Sequence, residues 1–134
     1  MKIQKKYSHK EITYDDLWKI IKPGNRIFIS SGPATPLKTL HGIVDTIHSN
    51  LADLEIIQLA LLGDFFLSGK YRSHKFRLKT FTVGEIIGKA FLESNADFIP
   101  TNMGELPYLF VSGAVGVDIA IIETSAFIVI RYVM

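Results

Sequence analysis

The residues best suited to chemistry form one short stretch, Ser31-Gly32-Pro33-Ala34-Thr35. The residues before it, 27–29, read Ile-Phe-Ile, the composition of a buried strand. Thr35 and Pro36 form a helix-start pattern, a capping side chain followed by proline. Because ligands bind where the strands of an open α/β sheet end, backbone amides in this turn could hold a carboxylate, thioester or phosphate oxygen. A single glycine is a weak signal, and a plain strand-to-helix connection without a ligand fits the pattern equally well.

Other groupings of reactive side chains are weaker. The chain has no cysteine, which excludes thiol nucleophiles, disulfides and thiolate metal sites and favours a cytoplasmic location. His41 and His48 lie two helical turns apart, about 10 Å, which is too far to share one metal ion. Ser30 and Ser31 lack the Gly-x-Ser-x-Gly pattern of a nucleophile elbow, which argues against a serine hydrolase. Structural or capping roles explain best the acidic residues near predicted element ends, Asp64, Glu105 and Glu123.

Residues 70–79 carry five cations with Tyr71, His74 and Phe76 between them. Such a segment can bind a nucleic acid, or the phosphates of a nucleotide-like cofactor. The simplest interpretation is a solvated loop or an edge strand protected by its charge. The formal net charge is only +2 and the isoelectric point about 8.8, so we do not expect a nucleic-acid partner.

The 134 residues suffice for one domain with its own core. The hydrophobic content of 48% and the mean hydropathy of +0.24 are high for a soluble domain, which predicts apolar surface covered by something else. No apolar run reaches the roughly 18 residues of a membrane helix, and residues 1–10 do not resemble a signal peptide, so we expect no membrane contact.

Strand and helix patterns alternate along the chain. Thr13 can cap a first helix, which Pro23 and Gly24 would end. The near-continuous apolar run of residues 54–62 is typical of a strand buried on both faces. The fold predicted is a three-layer α/β/α domain with a mostly parallel sheet. Its further predicted elements are a helix around residues 83–91, a strand at 97–100, a helix at 105–111 and a strand at 117–122.

Taken together, these segments resemble the N-terminal half of the acetyl-CoA hydrolase/CoA-transferase family, which includes acetate, succinate and 4-hydroxybutyrate CoA-transferases. The resemblance covers about residues 16–125, and each matching piece is weak alone while their order and spacing are fairly specific. The pieces are Pro-Gly-Asn-Arg-Ile-Phe-Ile (23–29), Ser-Gly-Pro-Ala-Thr-Pro (31–36), Phe-Thr-Val-Gly (81–84), Ala-Asp-Phe-Ile-Pro (96–100), Glu-Leu-Pro-Tyr-Leu-Phe (105–110) and Val-Asp-Ile-Ala-Ile-Ile-Glu-Thr-Ser (117–125).

The sequence departs from the family pattern at three places. The family usually has an arginine near Gly88 and a Gly-Arg pair where Ser94-Asn95 stands, which puts a basic contact there in doubt. Family members continue after Ser125 with Pro-Pro-Asp and more strands, whereas this chain has the apolar tail 126–134. We therefore interpret residues 1–134 as a partial, truncated N-terminal domain with a divergent tail.

The resemblance implies a role in acyl-CoA metabolism. Family enzymes form a glutamyl-CoA thioester on a glutamate of the C-terminal half, and no residue here matches that glutamate. The implied substrate-binding residues are Ser31, Gly32, Pro33, Ala34 and Thr35, one wall of the active site, and no catalytic residue is assigned. Coenzyme A or acyl-CoA is implied as substrate together with a carboxylate, and no permanently bound cofactor is expected.

The implied partner is the missing C-terminal half, or a separate subunit that carries it. We also expect a homo-oligomer, with the β-prone tail pairing along a sheet edge. Two alternatives stay open. The chain could be a non-enzymatic module that binds nucleic acid or protein through residues 70–79, or a non-functional remnant of a split gene.

Overall fold

The computed structural model describes residues 13–45, 51–60, 76–82, 96–124 and the backbone of 128–132. These residues form three α-helices, two 3₁₀ turns and six strands. The helices are α1 (Tyr14–Ile20), α2 (Leu37–Asp45) and α3 (Leu106–Val111), and the 3₁₀ turns are Gly32–Ala34 and Met103–Glu105. The strands are β1 (Arg26–Ile29), β2 (Leu54–Gln58), β3 (Phe76–Thr80), β4 (Ala96–Phe98), β5 (Ile119–Glu123) and β6 (Ile128–Tyr132).

The strands form one sheet in the order β4-β3-β2-β1-β5-β6. The five strands β1 to β5 are parallel, and β6 runs antiparallel to β5, so the prediction of a mostly parallel sheet is confirmed. The β-prone tail thus pairs with a strand of its own chain. From β1 the strand order proceeds outward through β2 to β4 on one side, while β5 lies on the other side. The order of the strands therefore reverses between β1 and β5.

Apolar side chains cover both faces of the sheet. On one face, Ile27 of β1 and Ile56 of β2 are fully buried under α1 and α2, in a cluster with Leu17 and Leu40. On the other face, Ile57 packs with Leu106 of α3. Neighbouring residues of a strand point to opposite faces, so a run such as Leu-Glu-Ile-Ile-Gln supplies both layers. The predicted three-layer α/β/α architecture is confirmed.

The helix boundaries follow from local chemistry. Thr13 caps α1 as predicted: its hydroxyl accepts the Asp16 amide at 3.1 Å, and the Asp16 carboxylate accepts the Thr13 hydroxyl at 2.8 Å. α2 begins at Leu37, one residue after Pro36, whose carbonyl accepts the Leu40 amide at 2.9 Å. The helix that the Thr35-Pro36 pattern predicts is therefore present.

The loop or edge strand predicted for residues 70–79 is wrong for its second half. Phe76–Thr80 is β3, and it lies inside the sheet between β2 and β4. Its apolar and charged residues alternate, so that Leu78 joins the core while the Lys79 ammonium lies 2.8 Å from the Glu55 carboxylate. The side chains of Lys79 and Glu55 are only 24% and 19% exposed. Their pairing allows a basic residue to occupy an interior strand.

Several predictions fall on residues outside the described ranges. They concern residues 1–12, the helix around 83–91, residues 70–75 with His74, and His48. No helix in the described part of the chain combines the length and the apolar character that crossing a bilayer requires.

Candidate functional site

The predicted site residues lie where the strand order reverses. The chain leaves β1 at Ser30 and enters the Gly32–Ala34 turn and α2, while β5 ends beside it at Glu123. Parallel strands on either side of such a reversal are followed by segments that diverge to opposite faces, which leaves a crevice at their carboxyl ends. The structure thus places residues 31–35 at the point of the sheet where α/β domains bind ligands.

A residue outside the predicted set, Ser30, joins the two sides of this crevice. Its amide donates to the Ile121 carbonyl at 3.0 Å, and its hydroxyl accepts the Glu123 amide at 3.2 Å. The same hydroxyl donates to the Ala34 carbonyl at 2.5 Å. Ser30 therefore fixes the turn against the end of β5. The only sequence signal for this role was its position directly after a strand.

Ser31 and Gly32 attach the turn to the segment that follows β2. The Ser31 hydroxyl accepts the Leu59 amide at 3.1 Å, and the Gly32 amide donates to the Ala60 carbonyl at 2.7 Å. The Leu59 carbonyl in turn accepts the hydroxyl of Thr82, which follows β3. The segments after β1, β2 and β3 are thus linked by hydrogen bonds into one rim.

The backbone amides of the turn are mostly engaged inside the protein. Ala34 donates to the Ser31 carbonyl at 3.3 Å, and Thr35 donates to the Gly32 carbonyl at 3.0 Å. Pro33 and Pro36 have no amide hydrogen. With the Ser30 and Gly32 amides also bonded, Ser31 has the one turn amide without an acceptor among the described residues. Several amides of the turn were expected to hold a ligand oxygen, and the Ser31 amide is the one that remains available for it.

Gly32 has a conformation that suits close approach by a ligand. Its φ of +60° lies in the left-handed region, which other residues adopt at a cost. A Cβ built on Gly32 would meet no atom within 4 Å, so the space beside its Cα is open. Pro33 next to it is exposed, whereas Thr35 is only 3% exposed and its hydroxyl donates to the Gly32 carbonyl at 2.7 Å. Of the five predicted residues only Thr35 is therefore buried, and residues 31–34 keep some exposed surface.

At the amino-terminal ends of the strands, an ion pair joins Arg26, the first residue of β1, to Asp118, the residue before β5. The Arg26 Nη2 lies 2.7 Å from the Asp118 Oδ1, and Arg26 Nε and its amide both donate to Oδ2. The hydrogen bond from the Arg26 side chain lowers the pKa of the Asp118 carboxyl, although partial burial opposes this. We call this arrangement the Arg26–Asp118 pair. It braces the two strands whose other ends flank the crevice.

The other candidates that lie within the described ranges do not form a second site. Glu105 accepts the Thr101 hydroxyl at 3.3 Å, and the Glu123 side chain is exposed at the end of β5. Lys79 is paired with Glu55, which removes one cation from the segment 70–79. Within the described ranges no three carboxylate or imidazole groups cluster as metal ligands would.

Comparisons with known proteins agree with the fold. A family model described as the acetyl-CoA hydrolase/transferase N-terminal domain matches residues 1–129. A succinyl-CoA:acetate/propanoyl-CoA:succinate CoA transferase of Fasciola hepatica is 29% identical over 112 residues, which are 83% of this chain and 23% of that protein. The solved structure of a RipA mutant shares the fold with a TM-score of 0.70 at 19% identity, over 88% of this chain and 29% of its own. The chain thus spans less than a third of either protein's length.

Proposed function

Because the chain belongs to the acetyl-CoA hydrolase/transferase N-terminal domain family, we propose that it forms one wall of a site where an acyl-CoA passes its acyl group to a carboxylate or to water. The observation that carries this proposal is the position of residues 31–35 at the crevice between β1 and β5. The rest of the site comes from polypeptide beyond the matched residues, either a further part of the same protein or a separate subunit. We place this activity in the cytoplasm.

The role of the wall is to hold an oxygen of the acyl group or the carboxylate. The Ser31 amide is the available donor, and the open space beside Gly32 lets the ligand reach it. The links from Ser30 to β5 and from Ser31 to Leu59 hold this donor in place before the ligand arrives. A donor positioned in advance needs no reorganisation during the reaction, which is how such groups stabilise developing negative charge.

Amide chemical shifts during titration with acetate, and separately with coenzyme A, test the proposal. In the wild type we expect the largest changes at Ser31 and Gly32. Gly32→Val should abolish them because its side chain fills the approach. Gly24→Val is the matched control: Gly24 also has a left-handed φ, of +80°, with nothing within 4 Å, but it precedes β1 at the other edge of the sheet. Unchanged shifts at residues 31–35, with changes at residues 76–79 instead, would contradict the proposal.

The isolated chain should release no coenzyme A from acetyl-CoA, with or without a carboxylate acceptor. The reason is that the family's nucleophilic glutamate has no counterpart among these residues. Release of free thiol is the measurement, and a preparation of the Gly32→Val variant controls for contaminating thioesterases. Turnover that survives repurification and responds to Gly32→Val would show that this chain carries its own nucleophile.

A further inference from the structure

The hydrogen-bond ladder between β1 and β2 stops just before the Ser31 amide. In a parallel ladder, alternate residues of a strand bond to one neighbouring strand and the residues between them bond to the other. The Asn25 carbonyl accepts the Glu55 amide at 3.0 Å, so every second residue from Asn25, including Ser31, is in phase to bond to β2. The register of the two strands makes the next rung a bond from the Ser31 amide to the Leu59 carbonyl. Among the described residues this rung is absent.

Two hydroxyl groups bind the backbone of Leu59 instead. The Ser31 hydroxyl accepts the Leu59 amide at 3.1 Å and lies 3.5 Å from the Ile29 carbonyl, so it stands between two backbone groups that the ladder would join. The Thr82 hydroxyl donates to the Leu59 carbonyl. Both backbone polar groups of Leu59 are thus satisfied without the Ser31 amide.

Thr82 is itself held by buried polar side chains. The hydroxyl of Thr80, which is fully buried, accepts the Thr82 amide at 3.3 Å and donates to the Thr82 carbonyl at 3.0 Å. The Gln58 side-chain amide, also buried, donates to the same Thr80 hydroxyl at 3.3 Å. A buried network of this kind makes its members rigid, so the Thr82 hydroxyl has a fixed place beside Leu59.

We propose that Thr82 is a positioning residue that keeps the Ser31 amide free for a ligand. Its hydroxyl draws the Leu59 carbonyl toward the end of β3, away from the Ser31 amide that would otherwise complete the ladder. A carbonyl oxygen can accept two hydrogen bonds, so Thr82 acts through the direction of this carbonyl and not by filling its oxygen. The use of the free amide for an acyl or carboxylate oxygen rests on the proposed function, whereas its dependence on Thr82 does not.

Hydrogen exchange of single amides in this chain tests that dependence. In the wild type the Ser31 amide should exchange at least about tenfold faster than the Gly32 amide, which donates to the Ala60 carbonyl at 2.7 Å. Thr82→Val keeps the shape of the side chain and removes the hydroxyl. The Leu59 carbonyl then takes the Ser31 amide, whose exchange should slow at least about tenfold relative to Gly32. A simple loss of stability would have the opposite sign, because it opens the structure and speeds exchange.

Two further variants control the exchange experiment. Thr82→Ser retains the hydroxyl, and its Ser31 amide should exchange as in the wild type. Thr101→Val should also leave Ser31 unchanged, because Thr101 is likewise half-buried after a strand but its hydroxyl donates to the Glu105 carboxylate. Equal exchange of Ser31 and Gly32 in the wild type would overturn the proposal. So would a Ser31 amide that Thr82→Val leaves unchanged or accelerates relative to Gly32.

Titration with acetate separates this inference from the proposed function. If both hold, Thr82→Val reduces the acetate-induced shift of the Ser31 amide severalfold, and Thr82→Ser does not. A Ser31 amide that ignores acetate in the wild type, yet is slowed in exchange by Thr82→Val, would support the role of Thr82 and refute the acyl-group site. A Ser31 amide that responds to acetate equally in the wild type and in Thr82→Val would refute the role of Thr82 and leave the site in place.

Discussion

Gly116→Ala tests whether the Arg26–Asp118 pair stabilises the sheet. A Cβ on Gly116 would lie 2.6 Å from the Arg26 Cζ and closer still to Nη1, so the guanidinium must move away. Movement of the guanidinium breaks the hydrogen bonds from Arg26 Nη2 and Nε to the Asp118 carboxylate. The two side chains are 46% and 32% exposed, so solvent weakens the pair, and we expect a loss of about 1 kcal/mol in the free energy of unfolding.

The sign of the effect should reverse when Arg26 is absent. Gly116 does not occupy the left-handed region, so alanine fits its backbone and restricts the unfolded chain. In an Arg26→Ala background, Gly116→Ala should therefore stabilise the protein by about 0.4–1 kcal/mol. Urea denaturation of the four proteins in this cycle measures both values.

Gly104→Ala is the control for the cycle. Gly104 has no atom within 4 Å of a built Cβ and no positive φ, so its substitution should have the same effect with and without Arg26. If Gly116→Ala destabilises both backgrounds equally, the guanidinium is not the obstacle and the reasoning fails.

Two further predictions concern single groups of the site and of its brace. Ser31→Ala leaves the Leu59 amide without its acceptor and should lower the free energy of unfolding by about 1–3 kcal/mol, which urea denaturation measures; an unchanged midpoint would show that water replaces the hydroxyl. The Arg26 hydrogen bond holds the pKa of the Asp118 carboxyl below its ordinary value of 3.8. The contribution of this carboxylate to the free energy of unfolding is therefore complete above pH 3.8 and is lost as the pH falls through the lowered pKa. Thermal melts between about pH 5 and 2 should therefore fall more steeply for the wild type than for Asp118→Asn, and parallel curves would contradict this.

The elements that depend only on neighbouring residues were predictable from the sequence. The Thr13 cap, the strand before Ser30, and α3 with its early proline all rest on local patterns, and all are present. The position of residues 31–35 at the crevice followed from the same kind of pattern. Strand–turn–helix order places a turn at the carboxyl end of a strand before any contact is known.

The errors arose where a distant residue decides the outcome. Residues 76–80 looked too basic for an interior strand, because Glu55, the partner of Lys79, lies 24 positions earlier. The turn amides looked available for a ligand, because their acceptors include Ala60 and Ile121 on other segments. Hydrogen-bond partners across a sheet depend on register, which a single sequence does not reveal.

The pairing of β1 with β5 also determines the order in which this domain can fold. β1 meets β2 after a short loop and helix, with Arg26 opposite Glu55, whereas Arg26 and Asp118 are 92 positions apart. During synthesis the β5 side of β1 must stay open until residues 119–123 have emerged. The crevice lies along this pairing of β1 with β5, so slow, long-range closure of the sheet creates the site. A ligand held there would bind only the finished domain and would favour it over partly folded chains by mass action.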